Sequence, residues 1–343
     1  MATGDFNGDG NLDIAVANEN CEKGFEDTLQ CSPGTVSIFL GNGDGTFRTS
    51  INYSTGSGSS GVAAADFNRD GKLDLAVVNF GDGTVSILLG NGDGTFQNQV
   101  VYTFAAPGAS TQGQSSIVIG DFNNDNNLDL AVTGTSTSGS TIAVAAVLLG
   151  NGNGTFGNPL NLSVGSYGIF SLAAADFNLD GKLDLVLTGG GVTEVFLGNG
   201  NGTFDLSATF AGGSDVIAAD FNGDGKPDLA ISNVQLPSSI LGNYSVSIML
   251  GNGNGTFQPG TLYGTDPIPG ALIASDFNGD GKLDLAVADP GCSPFACAGS
   301  YQAYVSVLLG FGDGTFVGEM DSAVGTDPVS IASGDFNNDG NST

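Results

Sequence analysis

One nine-residue phrase, rich in aspartate, asparagine and glycine, carries the residue types that could do chemistry in this chain. Its fullest form is Asp-Phe-Asn-Gly-Asp-Gly-Lys-Leu-Asp, and its seven copies begin at Asp5, Asp66, Asp121, Asp176, Asp220, Asp276 and Asp335. Positions 1, 3, 5 and 9 offer carboxylate or amide oxygens around a glycine-kinked turn, which is the ligand chemistry that Ca²⁺ prefers. We call these segments acidic loops 1 to 7 in chain order.

The first six loops are predicted to bind about six calcium ions through oxygens at positions 1, 3, 5, 7 and 9, with position 7 using its backbone carbonyl. The predicted ligands, of which Asn11, Lys72, Asn127, Lys182, Lys226 and Lys282 are the backbone ones, are Asp5, Asn7, Asp9, Asn11, Asp13, Asp66, Asn68, Asp70, Lys72, Asp74, Asp121, Asn123, Asp125, Asn127, Asp129, Asp176, Asn178, Asp180, Lys182, Asp184, Asp220, Asn222, Asp224, Lys226, Asp228, Asp276, Asn278, Asp280, Lys282 and Asp284. A metal-free turn rich in aspartate and asparagine is the alternative.

The spacing within a loop resembles the first half of an EF-hand loop. Position 6 is expected to be left-handed, which suits glycine and is tolerated by asparagine at Asn126. Position 12 of loop 2 is Val77 rather than glutamate, so Asp74 must close the site from the next strand. Loop 7 has Thr343 at position 9, which leaves the occupancy of Asp335, Asn337 and Asp339 open.

The charge of the chain limits its partners. The 343 residues include 36 acidic and 7 basic side chains, for a formal net charge of -29. Nucleic acid and anionic membranes are therefore poor partners, and bound cations are expected. Apolar runs of about 18 residues are absent, so membrane insertion is not expected. The chain opens inside a repeat and without a signal peptide, so we expect it to be part of a longer, exported chain.

The four cysteines form two local pairs, Cys21 with Cys31 and Cys292 with Cys297. Two disulfides and an oxidising compartment, extracellular or at the cell surface, are the favoured interpretation. A zinc site is the weaker alternative, because the chain has no histidine and the pairs lie in different repeats.

Each repeat contains four short apolar runs, rich in Val, Ile and Leu, that predict four strands. In the second repeat the predicted strands are Val62 to Ala65, Leu73 to Val78, Thr84 to Leu89 and Gln99 to Phe104. Four strands per repeat with tight turns predict the blades of an all-β propeller. The expected units are 1–55, 56–108, 109–164, 165–211, 212–264, 265–325 and a partial 326–343, within one propeller over 1–343.

A second recurrent phrase, Gly-Asn-Gly-Asp/Asn-Gly-Thr-Phe, precedes the fourth run and is typical of a hairpin turn. The alternative is a second ion site using Asp44, Asp93 and Asp313, but three copies carry asparagine there. Phenylalanine follows both the first aspartate of each acidic loop and each Gly-Thr. Rings that recur once per repeat are expected to pack one sheet on the next.

These two phrases, which cover the chain from Asp5 to Asp339, resemble those of the FG-GAP and VCBS repeat family, which includes the integrin α-subunit propeller. The resemblance implies a seven-bladed propeller in which the calcium loops lie opposite the usual ligand-binding loops. We expect six complete blades and a truncated seventh. The alternative is a closed six-bladed propeller, with Val329 to Phe336 as the first strand of the opening repeat.

The expected function is a calcium-stabilised extracellular scaffold for binding or adhesion to a protein or glycan. Its contacts would lie in the variable segments after the second strand, with Tyr244, Phe295, Tyr301 and Tyr304 as candidates. The chain is not expected to be an enzyme, because it lacks histidine and a Gly-x-Ser-x-Gly motif. The alternatives are a non-catalytic propeller region of a larger secreted hydrolase or lyase, or a structural spacer.

Overall fold

The described part of the chain consists of strands joined by turns. The structure, a computed structural model, describes residues 1–23, 29–105, 115–136, 142–165, 171–233, 245–265, 269–289, 303–325 and 328–340. The regular elements in these ranges are all strands. The described residues therefore contain no helix that could span a membrane.

Six four-stranded sheets follow one another along the chain, and the strands of each sheet are arranged in chain order. The first three sheets comprise β1 (Ala2–Gly4), β2 (Asp13–Asn18), β5 (Pro33–Phe39) and β6 (Ile51–Ser57); β7 (Ser59–Ala65), β8 (Asp74–Asn79), β9 (Thr84–Leu88) and β10 (Val100–Thr103); and β11 (Ile117–Gly120), β12 (Asp129–Ser136), β13 (Ile142–Leu148) and β14 (Leu160–Leu162). The other three comprise β15 (Ser171–Ala175), β16 (Asp184–Gly189), β17 (Val192–Gly198) and β18 (Phe204–Ala211); β19 (Asp215–Ala219), β20 (Asp228–Asn233), β21 (Ser245–Met249) and β22 (Thr261–Gly264); and β23 (Leu272–Ser275), β24 (Asp284–Asp289), β25 (Ala303–Gly310) and β26 (Phe316–Val324).

The strand predictions for the second repeat are confirmed to within about three residues at each end. Strands two and three are central in each sheet, and β8 and β9 are buried at every position. The fourth strand lies at one edge of its sheet, and in β18 exposed and half-buried residues alternate along much of its length. This gradient explains why the central strands are continuous apolar runs, since both of their faces are covered.

The antiparallel order fixes which connections lie at the same end of a sheet. The acidic loops join strands one and two, and in the second sheet Ala65 pairs with Asp74 at the base of loop 2. The Gly-Asn-Gly turns join strands three and four, so they lie at the same end as the acidic loops. The variable segments between strands two and three lie at the opposite end.

The apolar core lies between neighbouring sheets. One cluster joins the first and second sheets through residues such as Val36 and Leu75, and a second joins the second and third through Ile87 and Leu130. Equivalent clusters join the fourth to the fifth sheet and the fifth to the sixth. Each sheet is thus stabilised by apolar side chains of the sheet beside it.

The chain forms two compact units. Unit 1 comprises Met1–Leu172, Gly198–Phe204 and Gly334–Gly340. Unit 2 comprises Ala173–Leu197 and Asp205–Ser333, together with Asn341–Thr343, which lie outside the described residues. Acidic loops 1, 2, 3 and 7 therefore belong to unit 1, and loops 4, 5 and 6 belong to unit 2.

The alternative in which Val329 to Phe336 provides the first strand of the opening repeat is wrong. Strand β1 already takes that place, with Ala2 opposite Ala15 and Gly4 opposite Asp13. Residues 328–335 form no strand, and Val329 is 78% exposed. Loop 7 lies beside the first repeat in the way that loops 1 to 5 each lie beside the next repeat, as described below.

The segment between β2 and β5 contains a two-stranded ribbon of β3 (Cys21–Lys23) and β4 (Leu29–Cys31). A disulfide joins Cys21 to Cys31, which are directly paired across this ribbon. The first of the two predicted disulfides is therefore confirmed. Cys292 and Cys297 lie outside the described residues.

Candidate metal centre

Position 6 of every acidic loop is left-handed, as predicted. The φ angles there run from +65° at Asn126 to +88° at Gly340. Position 4 is left-handed too, with φ of +62° at Arg69 and +58° at Leu179, and the sequence pattern did not reveal this. Arginine and leucine rarely adopt this conformation, so these residues do not predict a left-handed position 4 as a glycine would.

The two left-handed residues turn the backbone N–H groups inward toward the acidic side chains. In loop 2, Gly71 N–H donates to Asp66 Oδ2 at 2.8 Å and Asp70 N–H donates to Asn68 Oδ1 at 2.9 Å. Lys72 N–H then donates to Asp70 Oδ1 at 3.0 Å. The position 1 to position 6 bond recurs in all seven loops at 2.7 to 2.8 Å.

Loop 7 has the same internal geometry although its sequence is incomplete. Asp335 accepts hydrogen bonds from the N–H groups of Asp339 at 3.0 Å and Gly340 at 2.8 Å. Asn337 Nδ2 also donates to Asp339 Oδ2 at 3.0 Å. Thr343, at position 9, lies outside the described residues.

The aspartate at position 9 is fully buried and holds two other segments in place. Asp129 Oδ2 accepts the N–H of Phe122 at 2.8 Å, and its Oδ1 accepts the N–H of Gly150 at 2.7 Å. The same pair of bonds is formed by Asp13, Asp74, Asp228 and Asp284. Position 9 thus fastens the start of the acidic loop to the start of the Gly-Asn-Gly turn.

Burial has a clear electrostatic effect at position 9. Desolvation raises the pKa of Asp129 to about 6, although the N–H groups of Gly150 and Phe122 oppose the shift. The pKa values of Asp13, Asp74 and Asp228 are raised for the same first cause. A nearby cation would favour the ionised form of these carboxyls.

The Gly-Asn-Gly turns behave as hairpin turns. Thr46 N–H donates to Asp44 Oδ1 at 3.0 Å, and in a copy with asparagine Thr155 N–H donates to Asn153 Oδ1 at 3.1 Å. The oxygen forms the same bond with or without a negative charge. This equivalence favours the turn interpretation over a second ion site.

Each turn also packs on the acidic loop of the preceding repeat. In the second repeat, Gly94 N–H donates to the Phe6 carbonyl at 2.9 Å, and the Phe6 and Phe96 rings meet edge to face at 5.6 Å. The same two contacts follow loops 2 to 5, with ring distances of 5.5 to 5.8 Å. Loop 7 makes them with the first repeat, through Gly45 and Phe47. The prediction that these rings pack one repeat on the next is confirmed.

The donor set of the loops suits a hard cation. Carboxylate and amide oxygens are the polar side-chain atoms at positions 1, 3, 5 and 9, and they match the oxygen preference of Ca²⁺. In the described ranges, however, no three Asp, Glu, His or Cys side chains are already gathered as a metal centre. The oxygens face the loop's own N–H groups instead, and each retains a second lone pair. The residue types therefore fit calcium, and the ion would use lone pairs that these N–H bonds leave free.

At the other end of the sheets, only Tyr304 of the four predicted contact residues is described. Tyr304 is half-buried in β25, opposite Asp289. Tyr244, Phe295 and Tyr301 lie outside the described residues.

Sequential four-stranded sheets, with an acidic loop in the first hairpin of each, define a β-propeller protein. The chain belongs to the FG-GAP-like repeat family, whose model matches residues 5–77, 66–132, 134–187, 176–231 and 239–287. No curated protein matches the sequence of this chain significantly.

Several solved structures share the fold. A periplasmic gluconolactonase from Pseudomonas aeruginosa has a TM-score of 0.63 and 16% identity, over 96% of this chain and 86% of its own. A putative 6-phosphogluconolactonase from Bacteroides uniformis has a TM-score of 0.62 and 16% identity, over 92% and 82%. An Agrocybe aegerita lectin that recognises non-reducing terminal N-acetylglucosamine has a TM-score of 0.54 and 18% identity, over 91% and 80%.

The prediction that this chain is not an enzyme is overturned by the two lactonases. Both have a similar propeller fold and are described as enzymes, so this architecture supports catalysis. Missing histidine and a missing nucleophile motif argue against particular mechanisms but not against enzymatic function as such.

Proposed function

We propose that this chain is a calcium-stabilised extracellular β-propeller that binds a protein or a glycan. The observation that carries the proposal is the recurrence of one loop geometry, with oxygen side chains at fixed places around a left-handed position 6. Backbone N–H groups use both carboxylate oxygens at positions 1 and 9, but at position 5 they use only Oδ1, so a turn without an ion would not require an aspartate at position 5 of six loops.

Calcium supplies positive charge where the chain has concentrated its negative charge. The carboxylates of one loop repel each other, and the formal net charge of -29 adds to the self-repulsion of the compact state. An ion held by positions 1, 3, 5 and 9 would join strands one and two of a sheet. Through position 9 it would also support the turn between strands three and four.

The same chemistry supports the proposed extracellular location. Calcium modules outside cells bind with dissociation constants of roughly 0.1 to 1 mM, which suits free calcium at millimolar levels. The disulfide between Cys21 and Cys31 also fits an oxidising compartment.

The binding surface is proposed at the end of the sheets opposite the acidic loops. Each sheet connects its strands two and three at that end, and these connections differ in length and sequence between repeats. Rigid sheets that carry variable connections are a common arrangement for recognition. The lectin of similar fold recognises terminal N-acetylglucosamine, which makes a glycan a reasonable first ligand to test.

Equilibrium dialysis with radioactive calcium tests the ion sites. The chain is expected to bind about six ions with dissociation constants near or below 1 mM. Asp70→Asn should remove one ion, because it takes a carboxylate from loop 2. Asp93→Asn is the matched control in the turn of the same repeat, and it should leave the count unchanged. Loss of an ion in both variants, or in neither, would argue against the assignment.

Ligand binding is tested with a glycan array that includes N-acetylglucosamine-terminated glycans, with calcium and with chelator. Calcium-dependent binding of a defined glycan would support the proposal. Hydrolysis of gluconolactone by the purified chain would contradict the proposal of a binding protein and would instead indicate an enzyme like the two lactonases of similar fold. No glycan, no lactone turnover and no protein captured from the native host surface would favour a structural spacer.

A further inference from the structure

Nearly every basic residue of the chain lies at an acidic loop. The sequence has only 7 basic side chains, which are Lys23, Arg48, Arg69, Lys72, Lys182, Lys226 and Lys282. All except Lys23 are placed at one of loops 1 to 6 by the contacts described next. Five of the seven, Arg69, Lys72, Lys182, Lys226 and Lys282, lie within the loops themselves.

Four loops use lysine at position 7, and its ammonium pairs with the aspartate at position 5. The closest pair is Lys226 Nζ to Asp224 Oδ2 at 2.8 Å, and the most distant is Lys72 Nζ to Asp70 Oδ2 at 3.8 Å. Lys182 and Lys282 form the same pair at 3.1 and 3.5 Å. This ion pair recurs in all four loops because the lysine always follows the aspartate by two residues.

The turn of the same repeat holds the lysine stem. A Cβ at Gly253 would lie 2.9 Å from Lys226 Cδ, and one at Gly92 would lie 2.9 Å from Lys72 Cδ. Gly312 faces Lys282 in the same way, at 3.0 Å. Glycine at this place thus makes room for the lysine to pass across the turn with its ammonium directed at position 5.

Loops 1 and 3 have asparagine at position 7 and receive an arginine from elsewhere. Arg48, just after the turn of the first repeat, places Nη2 3.4 Å from Asp9 Oδ2. Arg69 of loop 2 donates to the Asn126 carbonyl of loop 3 and interacts electrostatically with Asp125. Two different routes therefore bring a cation to the position 5 aspartate when lysine is missing.

We propose that these six side chains are tethered counter-ions that set the divalent-cation affinity of the loops. In the absence of metal each one neutralises part of its loop and keeps the carboxylates together. When calcium binds, the ion and the tethered cation compete for the position 5 carboxylate and repel each other. The proposal rests on the proposed role of calcium and deepens it.

Coulomb's law gives the size of the effect. These ion pairs are exposed to solvent, so their interaction with a divalent ion at about 5 Å is weakened by water. Removing a lysine should tighten its own loop by roughly threefold to tenfold. The metal-free protein should become less stable, because the loop carboxylates then repel without compensation.

The test uses Lys72/182/226/282→Gln in one variant, in which loops 2, 4, 5 and 6 change while loops 1 and 3 keep their arginines. In equilibrium dialysis the variant should bind about four calcium ions more tightly than wild type and two ions with unchanged affinity. Its binding curve should therefore show two steps, whereas the wild-type curve should show one. The variant should also melt at a lower temperature than wild type in chelator. Lys226→Gln alone, which should fold readily, is expected to tighten one ion.

Lys23→Gln is the matched control, because it removes one positive charge in the ribbon of β3 and β4, away from the loops. It should leave every calcium affinity unchanged. An unchanged isotherm in the four-lysine variant, or an equal shift of all six ions, would overturn the inference while the calcium role stood. No calcium binding by wild type would instead overturn the proposed function itself.

Discussion

Polar side chains at the ends of the second strands link three strands of a sheet. In the first sheet, Asn18 Nδ2 donates to Ser37 Oγ at 2.8 Å, and Ser37 Oγ donates to Asn52 Oδ1 at 2.7 Å. In the second sheet, Asn79 and Ser86 repeat this arrangement. Each of these polar groups has a hydrogen-bond partner, so the network can be buried without leaving them unsatisfied.

The sixth sheet breaks this pattern with Asp289, which is fully buried at the place of the asparagines. Ser306 Oγ lies 3.0 Å from Asp289 Oδ2 and 2.9 Å from Asp321 Oδ1, yet a hydroxyl has a single hydrogen. Asp289→Asn offers Ser306 the donating amide that Asn79 offers Ser86, and it should raise the free energy of unfolding by about 1 kcal/mol at pH 7, measured by urea unfolding. Asn79→Asp is the reverse change and should lower it by about 2 kcal/mol. A loss of stability in Asp289→Asn would show that the carboxylate is required.

The buried aspartates at position 9 predict how stability depends on pH. Because the folded pKa of Asp129 is about 6, above its usual 3.8, its contribution is present below pH 3.8 and is lost as pH rises through 6. Metal-free protein should therefore lose stability between pH 5 and pH 7, by about 1 kcal/mol for this group alone. Exposed aspartates with lowered pKa values, such as Asp9, change charge at lower pH and do not affect this window. Urea unfolding at both pH values, in metal-free buffer, measures the difference.

Calcium should reverse the sign of this effect at the same residues. A bound ion favours the ionised carboxylate, so saturating calcium is expected to flatten or invert the fall in stability between pH 5 and pH 7. A rise in metal-free stability across this window would contradict the expected effect of burial.

Residue identities predicted the loop in part. The glycine at position 6 signalled the left-handed turn directly, whereas Arg69 and Leu179 at position 4 hid a second one. The tethered cations Arg48 and Arg69 could not be predicted, because they reach Asp9 and loop 3 from other segments. Such pairings depend on how neighbouring segments pack against each other, which the spacing of residues along one sequence does not predict.

At the scale of elements, the fourth strand of several sheets contributes a tyrosine that holds the next repeat. Tyr102 of β10 accepts the Phe156 N–H at 3.2 Å, and the two rings meet edge to face at 5.7 Å. Tyr53 and Tyr263 make the same two contacts with Phe96 and Phe316. The hydroxyl and the ring thus act together at these contacts between sheets.

Tyr102→Phe keeps the ring contact and removes the acceptor, so it should cost about 1 kcal/mol of unfolding free energy. Phe210→Tyr is the complementary variant, because Phe210 of β18 faces Phe257 at 6.1 Å and has no hydroxyl to offer. It should leave stability unchanged or raise it. Urea unfolding of both variants checks the pair, and equal stability of Tyr102→Phe and wild type would show that the hydroxyl is unimportant.

The strands themselves were predictable because turns and apolar runs alternate so regularly. Asp74 to Asn79 is a largely apolar run between a loop and a turn, and it forms β8 with every residue buried. The ribbon of β3 and β4 could not be predicted from residue types, because Glu22 and Lys23 are not residues that favour strands. Its two strands are joined by the disulfide between the paired Cys21 and Cys31. The pairing of loop 7 with the first repeat was also hidden, because it joins the two ends of the sequence.

At the scale of the whole molecule, stability is expected to depend above all on the acidic charge and on the calcium that balances it. Both compact units contain at least three acidic loops, so both are expected to depend on the ion. At 1 mM calcium, a site with a dissociation constant of about 0.1 mM adds about 1.4 kcal/mol by mass action. Six independent sites would then add about 8 kcal/mol, as much as the total stability of many domains.

The melting temperature with and without calcium tests this account most directly. Thermal unfolding followed by circular dichroism should give a midpoint about 10 °C higher in 1 mM calcium than in excess EDTA. Magnesium at the same concentration should restore much less, because the loop oxygens suit the larger, more flexible coordination of calcium. The same melting curve in calcium and in EDTA would contradict the claim that the acidic loops are calcium sites.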